Sequence, residues 1–350
     1  MWLGVELRGD FEGRRAGGEA TLVSRFDLER APAGRVGPMN APTMALGTMY
    51  FGTTVDERTA FSILDRYAEL GGAFIDTSDN YSFWTSDTGF GGQSEALLGR
   101  WLASNPGVHV RLSTKVGAQP TCVGGFPDHL EGLRADVVRA AMATSLERLG
   151  VDGVDLYWAH VEDPTVPVDD LVETFGGLVR DGLTARWGVS NHPSWLLERI
   201  RATAERAGQP QPAAYQQRYS YLQPAGGMAV EGQPIPLGML SPDGLDFLRR
   251  NPSFEGWVYT ATLQGRYDRN DRPLETEYCH PGTERRMAAL RRVAAARGLQ
   301  PGQVVLAWLA SGSPALTPIV GVSSVKQVEE AVLGASTILT EDELAALDGA

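Results

Sequence analysis

Three observations predict a closed (β/α)8 barrel of the TIM type, folded as a single domain. From about residue 43 onward, short apolar or β-branched runs alternate with longer amphipathic segments. Strict alternation of this kind implies parallel strands joined by helical crossovers. Eight such units in roughly 300 residues suit a closed barrel better than an open sheet. The G-x-G-x-x-G loop that marks a doubly wound dinucleotide fold is missing.

The first strand is expected at 44–49 (MALGTM), followed by an amphipathic helix over 55–70. The second strand, 73–77 (AFIDT), feeds a helix at 94–102, and the third, 108–115 (VHVRLSTK), one at 135–149. Strands at 153–160, 185–190 and 213–217 follow, with helices over 168–180 and 194–206 between them. A seventh strand at 256–260 precedes helices at 284–297 and after Pro301. The eighth, 317–320, leads into a helix at 325–333. These segments assign 41–350 to the barrel. Residues 1–40, rich in Gly, Arg and Glu, are read as an N-terminal extension of unknown role.

With 31 Lys and Arg against 43 Asp and Glu, the net charge of −12 argues against a nucleic-acid surface. No run approaches the ~18 apolar residues of a membrane helix. The opening MWLGVELRGDFEGRR lacks the apolar core of a signal peptide. Two cysteines, Cys122 and Cys279, are too few for a disulfide framework. A soluble cytoplasmic protein acting on a small molecule is therefore expected. Of the 31 basic residues only Lys115 and Lys326 are lysine.

In such a barrel the chemistry collects where strands end at the C-terminal face. There the second strand brings Asp76, with Tyr81 shortly after, the third Lys115 and the fourth His160. The fifth ends in Ser190 and Asn191, the sixth at Gln216 and the seventh at Tyr259. The eighth runs into Gly321, Ser323 and Ser324. A single histidine in an apolar strand is usually a satisfied core residue, but Asp76, Tyr81 and Lys115 as neighbours favour acid–base work. An ammonium ~4 Å from a phenol, at an effective dielectric near 20, favours the phenolate by roughly 4 kcal/mol, or about three pKa units. Asp76 would hold Lys115 charged, and His160 would hydrogen-bond the substrate oxygen or relay a proton. With no nucleophile–base pair and no metal-ligand spacing, the electrons must come from a hydride-donating cofactor.

The chain closely resembles the aldo-keto reductases. The resemblance lies in ALGTMYFG, DTxxxY, STK, ERLGVDGVDLYWAH, GVSN, the Gln216–Tyr219 step and PIVGVSSVKQVEE. It implies Tyr81 as general acid, Lys115 and Asp76 as its tuning pair, and His160 as orienting partner. The cofactor it implies is NADP(H), with NAD possible because Gln327 and the Glu330–Ala331 step depart from the family pattern. Gly47, Thr48 and Met49 would lie near the nicotinamide, Ser190, Asn191 and Gln216 would hold its amide, and Tyr259 would stack on its ring. Thr260, Leu263, Gly321, Ser323, Lys326, Gln327 and Glu330 would follow the phosphates and adenosine, with Lys326 placed for a 2′-phosphate. The implied reaction is reduction of an aldehyde or ketone, including a sugar or keto-sugar. Conjugated C=C reduction and a cofactor-binding, redox-sensing regulatory subunit are the alternatives; His160 counts against the first.

Two long loops are expected at the mouth, 82–95 and 221–240. Tyr50, Trp84 and Tyr221 are the candidate substrate contacts, and Phe83 and Phe90 could complete a wall. Trp158 shares the strand face of His160 and is read as an inward core residue.

Overall fold

The structure, a computed structural model, describes residues 43–230, 238–269 and 271–350. The extension at 1–40 and part of the 221–240 loop thus lie outside the described residues. Among those described, eight parallel strands close into a barrel, each paired with its sequence neighbours and β1 with β8. They are β1 (Ala45–Gly47), β2 (Phe74–Asp76), β3 (Arg111–Val116), β4 (Val154–Ala159), β5 (Thr184–Ser190), β6 (Ala214–Arg218), β7 (Glu255–Tyr259) and β8 (Leu316–Gly321). The helices are α1 (Glu57–Glu69), α2 (Gln93–Ser104), α3 (Ala135–Leu149), α4 (Val168–Arg180), α5 (Ser194–Arg206), α6 (Pro242–Arg250), α7 (Pro281–Arg297), α8 (Pro301–Ser311), α9 (Val325–Ser336) and α10 (Glu341–Asp348). None is long and apolar enough to cross a membrane.

Most expected elements form, and the differences have local causes. The first strand stops at Gly47 rather than residue 49. Thr48 donates its amide to the Asp76 carbonyl, and Phe51 then turns back onto the Thr48 carbonyl. Two helices have no counterpart in the sequence reading. Helix α6 is started by Ser241, whose Oγ accepts from the Gly244 amide, and by Pro242 in its first turn. In α10, Thr340 and Glu343 form a capping box. Both helices are short, nine and eight residues, which is at the lower limit of what a periodic pattern can mark.

The barrel interior is a plug of alternating inward side chains: Ala45, Phe74, Leu156, Trp158, Ala214, Trp257 and Ile319. Trp158 meets Trp257 edge-on at 5.6 Å, and Phe74 meets Trp257 at 4.8 Å. Gly188, the β5 neighbour of Trp158, makes this possible, since a Cβ there would lie 2.7 Å from the Trp158 ring. The plug forms a rigid floor under the strand ends. A second, larger apolar layer lies between barrel and helices.

Candidate active site

Register brings the predicted quartet together. Gly47 pairs with Asp76, Asp76 with Ser113, and Lys115 with Trp158, so β2, β3 and β4 present their ends side by side. Lys115 is fully buried and uses all three ammonium protons. It donates to Asp76 Oδ2 at 2.5 Å, to the Thr77 carbonyl at 2.6 Å and to the Tyr81 hydroxyl at 2.9 Å. Ser113 Oγ donates to the other Asp76 oxygen at 2.7 Å. Ser113 was not anticipated, although it lies two residues before Lys115 and so shares its strand face. The Tyr81 and His160 rings meet edge-on at 6.2 Å, each partly exposed.

The electrostatics correct one expectation. Burial, and then the Asp76 carboxylate, raise the Tyr81 phenol well above its ordinary value instead of acidifying it. The reason is that Lys115 faces Tyr81 as half of an ion pair, so its field on the phenol is largely cancelled. Burial also lowers the Lys115 ammonium, against Asp76, which raises it. For His160, burial and the nearby Lys115 push the imidazole well below its usual value, so the ring is neutral at pH 7. The site thus holds a protonated phenol beside a neutral imidazole.

Asn191, in a left-handed conformation at the β5 end, bridges the mouth. Its Nδ2 donates to the His160 carbonyl at 2.9 Å and to Ser190 Oγ at 3.2 Å. Its Oδ1 accepts from the Tyr259 hydroxyl at 2.7 Å. Gln216 differs from Asn191: its Nε2 is buried and has no hydrogen-bond partner. At the closing seam, Gly47 and Gly321 are paired in register, and a Cβ on Gly47 would lie 2.9 Å from Ile319. Ser323 directs its amide and hydroxyl to Gln327 Oε1, and Ser324 caps α9 by accepting from the Gln327 amide. Lys326, 83 % exposed, pairs with Glu330 at 3.7 Å.

Several candidate contacts are placed elsewhere. Tyr221 is fully buried and faces the helices instead of the mouth: its hydroxyl donates to the Leu347 carbonyl and its ring packs on Trp308 and Arg286. Leu263, left-handed like Thr260, puts its side chain into the core and gives its amide to the Thr260 carbonyl. Thr48 is buried, with Oγ1 donating to the Asp76 carbonyl. It therefore braces β2. Met49 is half-buried, and its carbonyl accepts from Ser82 Oγ at 2.7 Å.

The aromatic residues after β1 and β2 do gather. Trp84 meets Tyr50 at 6.2 Å and Phe83 at 4.9 Å, and Phe83 meets Phe126 at 5.2 Å. Phe126, from the loop after β3, was missed because it has no neighbours of its kind in sequence. Phe90 stays 37 % exposed on the same loop as Trp84.

A parallel barrel that gathers polar residues at the C-terminal ends of its strands has the architecture of a (β/α)8 enzyme. Residues 43–350 match the Aldo/keto reductase family, and the chain belongs to it. It is 29% identical over 351 residues to an aldo-keto reductase of Strobilurus tenacellus, covering 93% of this chain and 88% of that one. Norsolorinic acid reductase A of Aspergillus parasiticus is 26% identical, over 94% of this chain and 82% of its own. Among solved structures, an aldo/keto reductase from Klebsiella pneumoniae in complex with NADP and acetate superposes with a TM-score of 0.65 at 22% identity. That match covers 88% of this chain and 91% of the other.

Proposed function

We propose that the protein reduces an aldehyde or ketone to an alcohol with NADPH, Tyr81 acting as general acid. The observation that carries this reading is the three-way donation of Lys115 to Asp76, Thr77 and Tyr81. It fixes the phenol oxygen at the strand ends, and burial keeps its proton on. A carbonyl oxygen bound there meets a loaded donor whose conjugate base, once formed, lies against an ammonium.

The residues around the mouth fit a nicotinamide dinucleotide. Gln216 offers an unsatisfied buried amide N–H, which a carboxamide would accept, and Asn191 holds Tyr259 for stacking. Gly47 and Gly321, paired at the last rung, add no side chain to the end of the β1–β8 seam, and the N-terminus of α9, capped by Ser324 and flanked by Lys326, suits a phosphate. NADPH, when bound, supplies the hydride. Tyr81 supplies the proton, and Asp76 and Lys115 restrain the phenol oxygen throughout. The Klebsiella structure in complex with NADP supports the same cofactor. Tyr50, Phe83, Trp84 and Phe126 give the substrate side an aromatic wall that suits the flat face of a ring, whether aromatic or sugar.

The test is NADPH consumption across a panel of aromatic ketones, simple aldehydes and keto-sugars. Turnover on at least one member is expected, and none on any would overturn the reading. In Tyr81→Phe, turnover should fall about 10²–10⁴-fold with NADPH binding nearly intact.

A further inference from the structure

The hydrogen bonds behind His160 fix which of its two nitrogens carries the proton. Asn80 is buried, and its Nδ2 donates to the Ala118 carbonyl at 3.0 Å. The opposite amide orientation would set two oxygens against each other, so Asn80 Oδ1 must face Ser78. Ser78 Oγ lies 2.8 Å from that oxygen and donates to it. A hydroxyl has one proton, and the alternative acceptor, Asp79 Oδ1, is farther away at 3.4 Å. With its proton so used, Ser78 Oγ can only accept from His160 Nδ1, 3.1 Å away.

We propose that Ser78 and Asn80 are positioning residues that hold His160 in its Nδ1–H tautomer, leaving Nε2 as a lone-pair acceptor. The inference deepens the carbonyl-reduction reading and its catalytic consequence rests on it. His160 then gives no hydrogen bond to the carbonyl oxygen, so Tyr81 is the only donor of the quartet to it. The product alcohol, in contrast, finds in Nε2 an acceptor for its new hydroxyl. Burial and the Lys115 charge, which keep the ring neutral, are consistent with a single ring proton.

The tautomer can be read without substrate or cofactor, from the ¹⁵N shifts of histidine-labelled full chain at neutral pH. His160 is assigned by difference from His160→Gln. A pyrrole-type Nδ1 and a pyridine-type Nε2 are expected. In Ser78→Ala the balance should move toward Nε2–H, and Ser78→Thr should restore it. An Nε2–H or doubly protonated ring in the unaltered protein overturns the proposal, as does a His160 signal that Ser78→Ala leaves unchanged. Should Ser78→Ala fail to fold, the unaltered spectrum still decides. In kinetics, Ser78→Ala should raise the KM for the alcohol up to about tenfold while leaving that for the carbonyl unchanged or lowering it; equal rises in both count against it. Absence of turnover on the carbonyl panel would sink the reductase reading but leave the spectrum to judge the tautomer.

Discussion

Around β2, β3 and β4 the polar groups of the mouth satisfy one another: Lys115 has three acceptors, Asp76 both oxygens engaged, and Ser78, Asn80 and His160 form a closed chain. Across the barrel, Gln216 Nε2 has no partner, and Lys326 is largely in solvent. Thr260, Leu263 and Gln264 hold left-handed backbone after β7, where non-glycine residues store strain of about 1–3 kcal/mol each. The contrast is one of timing. Groups that stabilise a developing charge act best when already oriented, so their hydrogen bonds are formed in advance. Under the proposed function, Gln216 remains unsatisfied until a ligand supplies its missing partner, whereas Asn191 and Ser323 are held in place by their own neighbours.

Four changes probe this division, in order of expected size. Lys115→Met should hit the preorganised side hardest, leaving the Asp76 carboxylate buried and unpaired. We expect about 3–5 kcal/mol lost in denaturant unfolding, together with turnover. Replacing both as Asp76→Asn, Lys115→Met should recover part of that stability but no activity; a double-variant loss equal to the sum of the two single-variant losses would show that the pair is not coupled.

The second change addresses Asp79, whose buried carboxyl is raised well above its ordinary value by burial and then by Glu131, to which it also hydrogen-bonds. Glu95 adds to the shift and Arg148 opposes it. Since the folded value lies above the unfolded one, this stability is full below the unfolded value and is lost as pH rises through the folded one. Asp79→Asn should therefore flatten the fall in Tm as pH rises above the ordinary carboxylate range, and an unaltered Tm–pH profile would refute the raised carboxyl.

On the ligand side, Gln216→Ala should weaken NADPH binding about tenfold, measured by fluorescence titration, with little change in unfolding. A loss of stability without a loss of binding would reverse the division drawn above. The smallest effect belongs to Lys326→Ala, expected to raise the KM for NADPH a few-fold, on the order of 1 kcal/mol, more than that for NADH. Equal effects on both would remove its role at the 2′-phosphate.

Much of the fold and the quartet was legible in the chain. Alternating βα segments dictate parallel strands, and parallel strands with eight crossovers place their last residues around one opening. Asp76, Tyr81, Lys115 and His160 follow from that rule. The misses follow from what periodicity leaves out. Tyr221 sits in an irregular stretch, where no rule assigns a facing, and it turned to the helices. Phe126 reached the aromatic wall through a loop.

Residue order along the strands thus set which groups could meet, because strand ends are ranked by local pattern alone. Whether the phenol is acidified or kept protonated, which imidazole nitrogen holds the proton, and which amide is left open depended on barrel closure. Those outcomes turn on burial and on tenths of an ångström between residues such as Ser78 and His160, or Asp79 and Glu131, that lie far apart in the chain.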